Sequence, residues 1–123
     1  MVDFVGQNIE IGDFVVIRTP YYNTMSLGRV TKLNNATCTA AYIPSWLWEL
    51  ELSYDDYKQV VDALFSDNFA DYSGKEEIKI TSGRFVTSDK PWEFSFWSTS
   101  RKSSEFVRVD RSVLSNFFDS KLN

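Results

Sequence analysis

Apolar and polar positions alternate most regularly in the first third of the chain. Phe14-Val15-Val16-Ile17 is a strand-forming run entered through Ile11-Gly12-Asp13, where glycine tolerates positive φ and aspartate bonds nearby amides. Thr19-Pro20-Tyr21-Tyr22-Asn23-Thr24 interrupts it, because proline cannot donate to a ladder. Leu27-Gly28-Arg29-Val30-Thr31-Lys32-Leu33 then alternates again, and Asn34-Asn35 fits a two-residue hairpin with positive φ, so Ala36 to Tyr42 is the returning strand. Three antiparallel strands over residues 9–42 are the expected foundation of the fold.

Further along, Ile43-Pro44-Ser45 breaks the sheet, and Trp46-Leu47-Trp48-Glu49-Leu50-Glu51-Leu52 alternates with Trp46, Trp48, Leu50 and Leu52 on one face, which predicts a fourth strand. Ser53-Tyr54-Asp55-Asp56 opens a helix, with a capping serine and two acids at the positive end of its dipole. Tyr57, Val60, Val61, Leu64 and Phe65 recur at helical spacing, so the helix covers about residues 54–68. After the turn Asp71-Tyr72-Ser73-Gly74, residues 76–81 read as a strand with a hairpin return at Arg84-Phe85-Val86-Thr87. A turn at residues 88–91 leads to Trp92-Glu93-Phe94-Ser95-Phe96-Trp97, a strand with Trp92, Phe94 and Phe96 on one face and Trp97 on the other. A polar loop over residues 98–104, a strand Phe106–Val109 and an Asp110-capped helix over about 111–119, with Val113, Leu114, Phe117 and Phe118 as its apolar face, complete the pattern.

The pattern Ile9-x-Ile11-Gly12-Asp13-x-Val15-x-Ile17, a loop, then Leu27-Gly28-Arg29-Val30-x-Lys32-Leu33 resembles the opening of KOW-type and related SH3-like small barrels. In that family a Gly-Asp turn starts the first strand, and a glycine followed by a basic residue and a valine marks the second. The expected architecture is a single α+β domain over residues 1–123: a strongly bent antiparallel sheet or SH3-like barrel with a central helix and a C-terminal helix.

Chain length allows such a domain to fold without disulfide or metal. The one cysteine, Cys38, has no intramolecular partner, and there is no histidine. These features, with no apolar run of about 20 residues, lead us to expect a soluble cytoplasmic protein with no membrane contact. Enzyme templates mostly fail, since histidine-based activation, phosphate loops, Cys-x-x-Cys and dinucleotide fingerprints are all missing from the sequence. Asp67, Asp71, Glu76 and Glu77 lack the order that wraps calcium. The expectation is a non-catalytic protein without cofactor or metal.

Net charge is −4, and it is uneven: the first 48 residues balance, residues 49–77 carry −7 and residues 78–123 carry +3. The aromatic content of 16% exceeds what the patterned core faces absorb. Tyr21, Tyr22, Met25 and Trp97 fall outside those faces and belong to the types favoured in protein contacts. They are the expected anchors of a protein-binding module, with Glu49, Asp55, Asp56 and Asp62 as an acidic rim that steers it to a basic partner surface. The small, cysteine-poor, aromatic-rich character is similar to that of accessory proteins of tailed phages, which implies a host factor as partner. The resemblance to KOW-type barrels implies an alternative, a nucleic-acid or transcription-machinery binder working through Arg29, Lys32, Arg101, Lys102 and Arg108.

Overall fold

Two apolar cores, one on each face of a single antiparallel sheet, organise the computed structural model, which describes residues 1–19, 24–72, 77–83 and 91–122. The strands are β1 (Phe14–Thr19), β2 (Thr24–Leu33), β3 (Cys38–Ile43), β6 (Trp97–Arg101) and β7 (Phe106–Val109), in the order β6-β3-β2-β1-β7. Between β3 and β6 the chain forms a 3-10 helix at Ser45–Glu49, helix α1 (Tyr54–Phe65), a 3-10 turn at Phe69–Tyr72, and the two-stranded sheet of β4 (Ile78–Ile80) with β5 (Trp92–Phe94). Helix α2 (Arg111–Leu122) follows β7 directly. The fold is α+β, as the alternation and the two amphipathic stretches require.

The sheet is strongly bent and open: β6 and β7 are its two edges, so it does not close into a barrel. Val15, Ile17, Val30, Cys38, Ala40 and Phe106 share one face and make a core with Ile9 and no helix. Curvature buries this inner face. Arg101 of β6 donates to the Arg18 carbonyl of β1 at 2.6 Å although it lies in the row of Leu33 and Arg18 in the row of Met25. A flat sheet would hold those rows roughly 25 Å apart. On the outer face, Phe14, Ala41 and Ile43 pack with Val60, Leu64, Leu114 and Phe118 of the two helices.

Several local features follow from the residues. Gly12 takes φ 92° in the turn before β1, a conformation closed to most side chains. Gly28 is required by proximity, since a Cβ there would lie 2.2 Å from the Ala41 carbonyl oxygen of the adjoining strand. Ser53 caps α1 by accepting the Asp56 amide at 3.2 Å. The edge of β7 is covered by the N-terminal segment: Phe4 N donates to the Phe106 carbonyl at 2.9 Å, and the Asp3 carboxylate accepts Arg108 N and Gln7 N, each at 2.8 Å, and Val5 N at 3.0 Å.

Some expectations are corrected. Trp46–Leu52 is not a strand. Residues 45–49 coil as a 3-10 helix after Pro44, and Glu51 takes φ 56°, which no strand tolerates. The β2–β3 connection spans Asn34 to Thr37, and neither asparagine has positive φ. β4 pairs with β5, while the expected return at residues 84–87 lies outside the described residues. The expected strand Trp92–Trp97 divides because Phe96 N turns to donate to the Tyr72 carbonyl, after which the chain joins β3 as β6. Residues 98–101 are therefore strand, and Ser103–Glu105 is a 3-10 turn. α1 stops at Phe65, short of the expected 68, while α2 continues to Leu122, with Leu114 and Phe118 buried and Val113 and Phe117 exposed.

Arg29 ties sheet to helix. Its Nε donates to the Gly12 carbonyl at 3.0 Å, and its Nη1 to the Leu64 and Ser66 carbonyls at 3.0 and 2.8 Å, while the guanidinium lies 4.5 and 4.0 Å from the Phe14 and Phe69 ring centroids. Replacing Arg29 by Met is expected to lower stability by about 2–4 kcal/mol, read as a lower urea midpoint, and Lys is expected to recover only part of it.

Burial pushes the Asp3 carboxyl up, but bonds from Arg108, Gln7 and Val5 outweigh it and hold the group below its ordinary 3.8. A depressed folded-state value contributes stability above the unfolded value and loses it as pH falls through the folded one. The stability gap between the wild type and Asp3→Asn, about 1–3 kcal/mol at neutral pH, should thus hold down to about pH 4 and shrink below it in thermal melts.

Candidate functional site

The helices do not cover the whole outer face of the large sheet. Its first row, Phe14–Arg29–Ala41, lies beneath the C-terminal end of α1 and the start of α2, where Arg29 and Arg111 donate to the Leu64, Ser66 and Phe65 carbonyls. The second row contains Val16, Leu27 and Ile43, of which Ile43 and Leu27 pack on the helical core. The third, Arg18–Met25, lies beyond it. Val16, Arg18, Met25 and Val107 instead line a groove of about 330 Å³, rimmed by Phe4 from the N-terminal segment and by Ser104 and Glu105 of the 3-10 turn.

This groove is mainly apolar, and two large side chains at it face solvent: Met25 is 68% exposed and Phe4 73%. Arg18 and Met25 stand one pair from the end of the β1–β2 ladder, before the connection between the two strands. Tyr21 and Tyr22 of that connection lie outside the described residues. Met25 itself is in β2 rather than in the loop, paired with Arg18, so the ladder holds its backbone in place. Phe4, Val16 and Val107 were not among the expected anchors. Val16 sits in a run that is apolar on both faces, and such a run cannot reveal where the covering helices stop.

Trp97 belongs to a different surface. It pairs with Tyr42, whose row on β2 is Gly28, three residues from Met25, so the alternation puts Met25 and Trp97 on opposite faces. Trp97 is 46% exposed and packs against Tyr42 and Trp46 with centroids at 6.2 and 5.6 Å, and Trp46 meets Trp92 at 5.8 Å. Glu49, exposed, stands one 3-10 turn from Trp46 and therefore on the same side of that short helix.

The remaining charged candidates separate. Asp55 and Asp62 are exposed on α1, and Asp62 pairs with Lys58 at 3.0 Å. Asp56 is not a rim residue. It is 2% exposed and accepts Thr81 N at 3.1 Å, Ser82 N at 2.9 Å, the Ser82 hydroxyl and Gln59 Nε2, while Ser82 Oγ in turn accepts Ser53 N. Arg29 is likewise committed to the core and not displayed for a phosphate. Arg101 and Arg108 donate to the Arg18 and Asn8 carbonyls, while Lys32 and Lys102 are exposed. Cys38 is buried, which pushes its thiol up and away from the reactive thiolate.

A second, more polar depression of about 530 Å³ lies between α1 and β4, with Asp62, Ser66, Tyr72, Glu77 and Lys79 in its walls. A bond to Glu93 and the charge of that neighbour raise the Glu77 carboxyl. Among the described residues, no three His, Cys, Asp or Glu side chains form a group that could hold a metal ion. No helix is long and apolar enough to cross a membrane.

A domain of unknown function, DUF7205, matches residues 1–45. The matched stretch contains the N-terminal segment and β1 to β3, and ends where the first 3-10 helix begins. Four of the seven groove residues, Phe4, Val16, Arg18 and Met25, fall within it. No curated protein and no solved structure matches the chain.

Asp56→Ala should lower stability by about 2–3 kcal/mol, because the Thr81 and Ser82 amides lose a buried acceptor. Asp55→Ala, on the same turn but exposed, is expected to change the urea midpoint by under about 0.5 kcal/mol.

Proposed function

We propose that this chain is a non-catalytic protein-binding module whose main contact is the groove formed by Phe4, Val16, Met25 and Val107. The observation that carries the reading is the exposure of Met25 and Phe4 on either side of an apolar depression built on sheet backbone. Large apolar side chains held in water on a rigid support cost little further ordering when a partner covers them. Burying each supplies about 1.5–3 kcal/mol. Arg18 and Glu105 at the same groove give polar fixed points of both signs.

Tyr21 and Tyr22 join this contact in the reading because their loop connects the strands that carry Arg18 and Met25. The acidic stretch, with Glu49, Asp55 and Asp62 exposed, favours a partner with a basic surface and acts on encounter rate more than on the final contact. The likeness to SH3-like small barrels rests on the sequence pattern of residues 9–42. The composition, similar to that of tailed-phage accessory proteins, makes a host protein the first class of partner to test.

The test is quantitative capture from native cytoplasm with wild type, Met25→Asp, Phe4→Asp and the double variant Tyr21→Ala/Tyr22→Ala, each checked for folding by circular dichroism. Both Asp variants are expected to lose the partner at least roughly tenfold, and the tyrosine pair to weaken it. Folded Asp variants that retain every captured protein would remove the groove from the site. Mobility shift with single- and double-stranded nucleic acid supplies the rival outcome: tight binding that falls steeply with salt would replace this reading with the KOW-like one.

A further inference from the structure

The two edges of the large sheet are treated differently. The outer edge of β7 is occupied by the N-terminal segment through Phe4, Gln7 and the Asp3 carboxylate. β6 pairs with β3 on one side and, among the described residues, with nothing on the other. Its Ser98 and Ser100 are exposed, and Trp97 at its start is 46% exposed. An open edge is a template for another strand unless the sequence blocks it. Trp97-Ser98-Thr99-Ser100-Arg101 has no proline, no bulge and no lysine to block it, and its one charge, Arg101, is bonded on the concave side to the Arg18 carbonyl.

We propose that this edge pairs with the β6 edge of a second copy of the chain, antiparallel about Thr99. Such pairing sets Ser98 opposite Ser100 of the copy and Trp97 opposite Arg101 of the copy, and residues 97, 99 and 101 share one side of the sheet. The ends of β6 are complementary in character. One presents Trp97 beside Trp46, with Glu49 on the same side of the 3-10 helix; the other presents Arg101 and exposed Lys102.

Antiparallel self-pairing brings unlike ends together twice, which a foreign strand of arbitrary sequence does not provide. The Arg101 guanidinium is held by bonds to the Arg18 carbonyl and Thr99 Oγ1 of its own chain. Five residues per strand make a small contact, below the roughly 1,200 Å² of stable complexes, so the dimer is concentration-dependent. This surface lies on neither wall of the Met25 groove and stands independently of the function proposed for that groove.

Sedimentation velocity from low-micromolar to near-millimolar protein tests it. Wild type should shift from monomer toward dimer with concentration. The S98K/S100K variant, which sets like charges opposite one another across the two-fold, should stay monomeric, and S98E/S100K, which sets opposite charges there, should associate at least as well as wild type. Circular dichroism checks that each variant is folded. A wild type that stays monomeric throughout overturns the proposal, as does a S98K/S100K variant that dimerises normally, or an S98E/S100K variant no better than S98K/S100K.

Discussion

The placement of everything on the outer face depends on one guanidinium. Arg29 has no carboxylate within bonding distance among the described residues; it is satisfied by three carbonyls and two rings. Two of those carbonyls belong to the last turn of α1 and its cap, where the helix dipole is negative and orphan acceptors accumulate. A planar cation can bond carbonyls within its plane while stacking between Phe14 and Phe69, a combination that an ammonium cannot reproduce. Burial, followed by the repulsion of nearby Arg111, lowers the pKa of Arg29, a penalty these contacts offset. Arg111 itself donates to the Phe65 carbonyl, so two arginines close the same helix end.

That clamp determines what is left uncovered. With the C-terminal end of α1 bound above the Phe14–Arg29 row, and α2 starting beside it, the rows toward Arg18–Met25 receive progressively less helix. Ile43 is buried, Leu27 half-buried, Val16 half-buried and Met25 exposed, a gradient along one face of one sheet. The groove is therefore a by-product of where the helix is anchored, and the curvature of the sheet brings the Ser103–Glu105 turn and the N-terminal segment to its rim.

Local chemistry was legible in the sequence, and distant pairing was not. The turn at Gly12, the three strands of the meander, the Ser53 cap and the start of α2 each depend on residues within a few positions of one another, and each is found where the pattern placed it. Trp46–Leu52 misled because its alternation comes from two tryptophans serving different neighbours: Trp46 packs on Trp92 and Trp97, Trp48 on Tyr57 and Phe118. Asp56 reads locally as one of two acids favouring a helix start, and its partner Ser82 is 26 residues away. Arg29 reads as a surface base for the same reason, with its helix carbonyls 35 and 37 residues on. For the anchors, exposure of Met25 and Trp97 followed from their failure to fit a core face, but their separation required the register.

That separation bears on how the molecule could work. Because the row of Trp97 lies three positions along β2 from the row of Met25, an odd offset, the two side chains leave opposite faces of the sheet and no rigid partner of ordinary curvature can touch both with its centre. A partner in the groove meets the outer face beyond the helices, where the sheet is flanked by Phe4 and Glu105. A partner on the tryptophan strip meets the edge of β6 that pairs with no strand among the described residues, where backbone groups rather than side-chain pockets supply the affinity. The two surfaces can thus be occupied together, and a contact at one need not compete with a contact at the other.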